Sequence, residues 1–386
     1  MVGAGLLGLS AARSLSRRGW SVDVLEAADG IGHQVSGSKG DARIFRLGYP
    51  EPHYVEMATA ARTQWRELEE QSGRRLLHVT GQLSFGDATT IEALAASLAD
   101  HAGAVEPISR QEAAARFPGV VLPGAALFEA QSGVLAADEC LRALVETGRF
   151  EVQSRVRVTR LDDDGRGVTV HCADGRAIRT DVVVDCAGPR ALALVGDEAR
   201  LVGAPPSLPQ VAYFEAAPSR AADPTSLPVF IEWGDTLVYG LPVFGSAAHA
   251  STFKVSHHTP GPRLHDYDPS ATPAPTLDHD DPALLGTLTD AVRRLLPGLN
   301  PEPVATERCV YDNSADTDFV LDRVGNVVVG CGTSGHGFKF GPLLGEILAD
   351  LAAGTPPGLD LSPFRIDRLD PTSLASQPDQ EGSPAH

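Results

Sequence analysis

Apolar positions along the chain follow two periods. Leu343, Leu344, Ile347, Leu348 and Leu351 recur at helical spacing, as do Tyr54, Ala58, Ala61, Trp65 and Leu68. Residues 91–99, reading IEALAASLA, predict another helix, and one more begins near Asp138. Short runs rich in β-branched residues predict buried strands. These are Val22-Asp23-Val24-Leu25, Val182-Val183-Val184, and Val327-Val328-Val329 bounded by Asn326 and Gly330. Val168 to His171 and Ala177 to Thr180 flank an Asp174-Gly175 turn, which predicts a hairpin. From about residue 206 the pattern turns to strands and loops, with strands at 229–233, 236–240 and 252–255. Helices and parallel-type strands at both ends, with a strand-rich stretch between, predict an α/β chain carrying a second, α+β domain.

Composition narrows the picture. With 386 residues, 39 of them Gly and 29 Pro, the chain is long enough for two interleaved domains with their own cores. Its 32 basic and 50 acidic residues give a net charge of −18, which argues against nucleic-acid or anionic-membrane partners. The five cysteines, at 140, 172, 186, 309 and 331, are odd in number and show no close metal-type pairs. Neither a disulfide framework nor a metal site is expected, and a reducing cytoplasm fits. No apolar run reaches membrane-spanning length, and the basic region and long apolar core of a signal peptide are absent at the start.

Gly3-Ala4-Gly5-Leu6-Leu7-Gly8 opens a segment with small or apolar residues at Leu9, Ala11, Ala12 and Leu15, followed by a strand ending in Glu26. This is the dinucleotide fingerprint. The glycines let the backbone approach a pyrophosphate at a helix N-terminus, and Glu26 can accept hydrogen bonds from a ribose. Only Met1 and Val2 precede the first glycine, where a full buried strand is usual, so weakened nucleotide binding is expected. Near the other end, a strand, a turn with Gly335 and Gly337, and a helix follow one another. Such a turn aims backbone N–H groups and the positive end of a helix dipole at a ligand that gains negative charge. Taken alone, Cys309 reads as a small buried apolar residue and Lys339 as a solvated charge. Arg43 and Arg46, in the polar stretch SGSKGDARIFRLGY at 36–49, read alone as part of a solvated loop.

Several separated stretches carry a more specific message. Gly37-Ser38 with Gly40-Asp41-Ala42-Arg43-Ile44-Phe45-Arg46, Tyr239-Gly240-Leu241-Pro242, Lys254 with His258, Cys309-Val310-Tyr311, and Ser334-Gly335-His336-Gly337-Phe338-Lys339 resemble the monomeric sarcosine oxidase and N-methyltryptophan oxidase family. Together with the fingerprint, the resemblance runs to about Asp367. It implies a glutathione-reductase-type FAD-binding domain at 1–60, 132–205 and 305–370. Interleaved with it would be a substrate domain built on a mixed sheet at 61–131 and 206–304, leaving a polar, disordered tail at 371–386.

The resemblance also implies roles. FAD would be tethered through a thioether from Cys309 to a methyl carbon of its benzenoid ring. Gly3, Ala4, Gly5, Leu6, Leu7, Gly8, Glu26, Ser38, Lys39, Arg43 and Val156 would hold it, with Gly335, His336, Gly337, Phe338 and Lys339. Arg43 would lie against the flavin. Arg46 and Lys339 would clamp a substrate carboxylate, with Tyr49 and Tyr239 in the pocket. His258 would assist positioning or proton movement, and Lys254 would activate dioxygen. Two departures stand out: the chain is one residue shorter before Gly40, with Lys39 where histidine is common, and the spacing from Tyr239 to Lys254 is long. His257 and the stretch from Pro260 to Asp281 read as a solvated connection.

The implied activity is oxidation of the C–N bond of a secondary or N-methyl amino acid by a monomer, with dioxygen as acceptor and hydrogen peroxide as product. A second reading is a flavin oxidase that desaturates a cyclic imino acid. An NAD-dependent dehydrogenase follows if the fingerprint is read alone, and a flavoprotein without activity if bound FAD is never reduced by an amine.

Overall fold

The computed structural model describes residues 1–32, 37–99, 105–196, 202–218, 223–234, 236–245, 248–265 and 280–369. The predicted tail and most of the Pro260–Asp281 connection lie outside them.

A parallel sheet carries the fingerprint. Glu151–Gln153 pairs with Asp23–Leu25, and Val183–Asp185 pairs with Val327–Cys331, both in parallel. Between these two pairs runs the short N-terminal stretch. Val2 bridges in parallel to both Leu25 and Asp185, the Val2 amide donating to the Val184 carbonyl at 2.9 Å and the Gly3 amide to that of Leu25 at 2.8 Å. The Met1 carbonyl also accepts from the Leu25 amide at 2.9 Å, so three residues stitch the halves of the sheet together. Val320–Val324 closes the far edge in antiparallel fashion.

The helix Leu6–Arg17 follows at once, and its glycines are dictated by crowding. Gly3 has φ +92°, and a Cβ there would stand 2.5 Å from the Cys186 carbonyl oxygen; a Cβ on Gly8 would stand 2.0 Å from the Gly3 carbonyl oxygen. Leu9 and Ala12 of this helix share one core with Leu344 and Leu348 of the helix Gly341–Ala353. The helices approach closely because Gly345 faces Ser10, where an added Cβ would come within 2.5 Å of the Ser10 backbone and side chain.

Between Glu151–Gln153 and Val158–Asp163 the chain changes sheet. Arg155 adopts a left-handed φ of 61°, and the chain leaves Glu151–Gln153 to start Val158–Asp163. That strand joins the predicted hairpin, Val168–Cys172 with Ala177–Thr180, in a three-stranded antiparallel sheet.

The strand-rich middle supplies half of an eight-stranded mixed sheet. Its order is Ala305–Arg308, Gln210–Phe214, Phe253–His257, Val238–Pro242, Val229–Trp233, Gln82–Gly86, Ala126–Glu129, Val105–Ile108, and only the pairing of Val229–Trp233 with Gln82–Gly86 is parallel. Phe85, Phe214, Phe230 and Phe253 pack with Leu288 and Val292 of the helix Pro282–Leu295. That helix is capped by Asp281, whose carboxylate accepts from the Ala283 amide at 3.0 Å and the Leu284 amide at 3.3 Å. A smaller sheet, Ala42–Phe45 with Gly133–Ala136 and Leu77–Val79, completes the strands. Among the described residues no helix is long and apolar enough to cross a membrane.

Replacing Gly345 by alanine forces a methyl group into the Ser10 backbone. Overpacking of this kind costs about 1–3 kcal/mol, so Gly345→Ala should lower the urea unfolding midpoint. An unchanged midpoint would show that the two helices yield freely.

Candidate active site

The fingerprint opens onto a cleft of about 780 Å³ whose wall includes Gly3, Gly5, Leu6, Leu7, Glu26, Ser38 and Val156. Glu26 is buried at the end of its strand, and its carboxylate accepts from the Ala4 amide at 2.7 Å and the Ala28 amide at 2.8 Å. It is thereby fixed at the mouth of the glycine turn. Ser38 accepts from the Leu6 amide at 3.0 Å, so a hydroxyl sits at the start of the helix, where anions are favoured. The close backbone passage at Gly3, the helix start and the fixed carboxylate suit the pyrophosphate and ribose of FAD. Ala4 and Gly8 contribute behind the wall, by a hydrogen bond and by packing. Lys39 does not line the cleft; its backbone carbonyl accepts from Arg43. Arg157 and Arg190, which sequence reasoning did not single out, stand in the wall. A lone arginine in a loop carries no pattern by which to find it.

The strand Val327–Cys331 leads into the turn that carries Gly335, which a 3₁₀ turn, Gly337–Phe340, separates from the helix Gly341–Ala353. The predicted direct passage from glycine turn to helix is corrected accordingly. The turn is held by Asp312, which accepts from Thr333 Oγ1 at 2.6 Å and, through its carbonyl, from the Ser334 amide at 2.8 Å. Gly335 has φ +83°, and a Cβ there would strike the Tyr311 ring at 2.3 Å. Gly337 and Phe338 face the dinucleotide cleft, while Gly335, His336, Phe338 and Lys339 face a second cavity of about 70 Å³. Phe338 is a wall of both.

The second cavity is cationic. Arg43, Arg46, Lys339, Tyr239, His257 and His258 line it, together with Ile44, Ile231 and Leu241. Arg46 is 2 % exposed, and its Nη2 is buried without a hydrogen-bond partner. The guanidinium lies 4.1 Å from the Tyr49 ring centroid and 5.4 Å from that of Trp233, and Nη1 donates to the Gly48 carbonyl at 2.5 Å. Lys339 is 5 % exposed and donates to the Tyr49 hydroxyl and the His336 carbonyl, each at 2.7 Å. Burial, and next the Arg46 charge, holds the Lys339 ammonium well below the usual lysine range. His336 Nε2 lies 3.1 Å from the Thr317 carbonyl.

Lys254 lies beyond the cavity wall, buried beside Arg43 and half-buried Cys309, with Nζ donating to the Ala42 carbonyl at 3.3 Å. Burial, reinforced by Arg43, pushes its pKa down to about 8. The Cys309 thiol is pushed up by burial, and Arg43 and Lys254 oppose that shift. Arg43 stands 5.4 Å from the Phe338 ring centroid and donates to the Ala42, Gly37 and Lys39 carbonyls.

Three placements differ from expectation. Tyr49 does not line the cavity; it lies fully buried under Arg46 and accepts from Lys339. His257 is half-buried in the cavity wall, not in a solvated connection, because Phe253–His257 runs one residue pair further than predicted and pairs His257 with Val238. The long Tyr239–Lys254 spacing is taken up in the connection between strands, since Tyr239 pairs with Ser256 and Leu241 with Lys254. Trp65, which reads as core by periodicity, also donates from Nε1 to the Lys339 carbonyl at 2.7 Å. No group of three or more His, Cys, Asp or Glu among the described residues is arranged to hold a metal ion.

Comparison with known proteins identifies the family. The chain is 31% identical to the peroxisomal sarcosine oxidase of Homo sapiens over 386 residues, covering 96% of this chain and 95% of that one. It is 30% identical to the N-methyl-L-tryptophan oxidase of Citrobacter koseri, covering 96% and 98%. Among solved structures, the open form of NikD, an amino acid oxidase essential for nikkomycin biosynthesis, superposes with a TM-score of 0.79 at 26% identity, covering 94% of this chain and 95% of that one. The DAO family model, FAD dependent oxidoreductase, matches residues 1–351, and the chain belongs to that family of flavoenzymes.

Proposed function

We propose that this enzyme oxidises a small secondary or N-methyl amino acid, with dioxygen as the electron acceptor. The observation that carries this reading is the turn shared by two cavities. One segment, Gly335 to Lys339, forms part of a cleft that suits FAD and part of a pocket lined by three cations, Arg43, Arg46 and Lys339, and by no acidic side chain among the described residues. The relatives named for sarcosine and N-methyltryptophan support the amine. In this reading residues 1–60, 132–205 and 305–370 bind FAD, and 61–131 with 206–304 build the substrate side.

When bound, FAD supplies a two-electron acceptor that takes a hydride from the carbon beside the substrate nitrogen and passes the electrons to dioxygen. The chain does the rest. Arg46 and Lys339 hold the substrate carboxylate between them, a charge-assisted contact that fixes where the carbon lies. Their positive charge in a dry site also favours the neutral amine, the form that can be oxidised. Tyr239 and His258 stand in the wall with ring centroids 6.1 Å apart and orient the amine end. Lys254 offers positive charge where dioxygen is reduced. A cation about 4 Å from a developing negative charge contributes roughly 4 kcal/mol at an effective dielectric near 20, about a thousandfold in rate. Cys309, with Arg43 and Lys254 beside it to favour its thiolate, is the proposed point of covalent attachment.

Three outcomes test these roles. Lys254→Met should slow reoxidation by dioxygen about a thousandfold while leaving anaerobic flavin reduction little changed. In the unsubstituted enzyme the reoxidation rate should fall as the pH rises through about 8, where Lys254 loses its proton, and this dependence should vanish in the variant. Equal slowing of both half-reactions would remove Lys254 from that role. Arg46→Met should weaken binding of a simple carboxylate on the order of 10–100-fold by calorimetry, and unchanged affinity would rule out the clamp. After acid precipitation, flavin absorbance should stay with the pellet of the unsubstituted enzyme and pass to the supernatant in Cys309→Ser; release from the unsubstituted enzyme would exclude the tether.

A further inference from the structure

Glu129 ends the strand Ala126–Glu129 of the eight-stranded sheet and is 1 % exposed. Its Oε2 accepts from the Leu47 amide at 3.1 Å, the Gly48 amide at 3.0 Å and Ser132 Oγ at 2.8 Å, and its Oε1 accepts from Gln82 Nε2 at 3.0 Å. All four donors are neutral. A buried carboxylate held only by neutral donors carries a large desolvation penalty, which an apolar side chain of the same size would avoid. What the charge does here is local: two consecutive amides, directly after Arg46 in the chain, converge on one oxygen.

We propose that Glu129 is the positioning residue of the carboxylate clamp, holding the turn from Leu47 to Tyr49 so that Arg46 presents its guanidinium to the ligand; this rests on the clamp reading above. Three contacts tie the clamp to that turn. Arg46 Nη1 donates to the Gly48 carbonyl, Arg46 lies over the Tyr49 ring, and Lys339 donates to the Tyr49 hydroxyl. Both cations are therefore referenced to the segment that Glu129 fixes. Glu129 itself is not in the cavity wall, so it acts only through Arg46 and Tyr49. Gly48 belongs to the same device: a Cβ there would stand 2.8 Å from Glu129 Oε1, and only a residue without one lets the carboxylate lie against the backbone. Through Glu129 the large sheet, which walls the amine end of the pocket, sets the register of the loop that binds the acid end.

The test is calorimetric titration of the holoenzyme with acetate and with its neutral analogue acetamide, alongside KM and kcat for an oxidised amine. Glu129→Ala should weaken acetate roughly 10–100-fold, raise KM by a similar factor and leave acetamide binding unchanged. Glu129→Gln should recover most of the acetate affinity. Its amide oxygen can replace Oε2, and Gln82, whose Oε1 is buried without a partner, can turn to receive the new N–H. Gly48→Ala should weaken acetate as Glu129→Ala does, and it serves if the latter does not fold. Unchanged acetate affinity in Glu129→Ala and Gly48→Ala, equal loss of acetate and acetamide, or no recovery in Glu129→Gln would each overturn the positioning role. A failure of the clamp itself is separable, because then Arg46→Met would also bind acetate like the unsubstituted enzyme.

Discussion

Arg46 and Lys339 are buried in the wall of one pocket with Arg43 beside them, and no acidic side chain among the described residues of that wall answers them. Burial penalises each charge, and each charge penalises the other. The structure offsets this with neutral acceptors: the Gly48 and His336 carbonyls, the Tyr49 hydroxyl and the face of the Tyr49 ring. These contacts orient Arg46 and Lys339 without neutralising them. The pocket is left with an electrostatic demand that an anionic ligand satisfies, and Arg46 Nη2 has no partner of its own to give up. The proposed carboxylate-bearing amine would meet this demand and still have something to oxidise.

That demand is useful only if the ligand is held beside the dinucleotide cleft, and backbone geometry provides for this. The strand Val327–Cys331 is pinned in the parallel sheet, and the residues after it are tied to Asp312. The next residues must turn sharply over the Tyr311 ring, which a left-handed glycine at 335 permits. Phe338 then faces both cavities, and the carbonyl of Lys339 is held from behind by Trp65. A displacement of this turn would move the walls of both cavities together, so the two share one mechanical reference. The Glu129-held turn gives Arg46 a second reference, taken from the large sheet.

The fingerprint glycines, Glu26 and the strand–turn–helix near the C-terminus were legible because each is a local rule. A tight turn needs Gly3, a helix start favours an anion, and alternating or helical periods reveal what is buried. Val2 shows the limit of such reading. Met1 and Val2 look too few for a strand, yet Met1, Val2 and Gly3 all make backbone hydrogen bonds to the neighbouring strands, through Leu25, Val184 and Cys186. His257 shows another limit: nothing local distinguishes a histidine that ends a buried strand from one that begins a loop.

From sequence alone came the residue types, the local elements and, through motif resemblance, the cofactor class. Only the tertiary structure decided that Tyr49 lies under Arg46, that Lys254 lies outside the second cavity beside Cys309, and that Glu129 reaches the amides of Leu47 and Gly48 across 82 and 81 residues of chain. The physical reason is that burial and electrostatic partnership are properties of non-local packing. A carboxylate at a strand end carries no periodic or compositional mark, and the fold alone brings two consecutive amides against it.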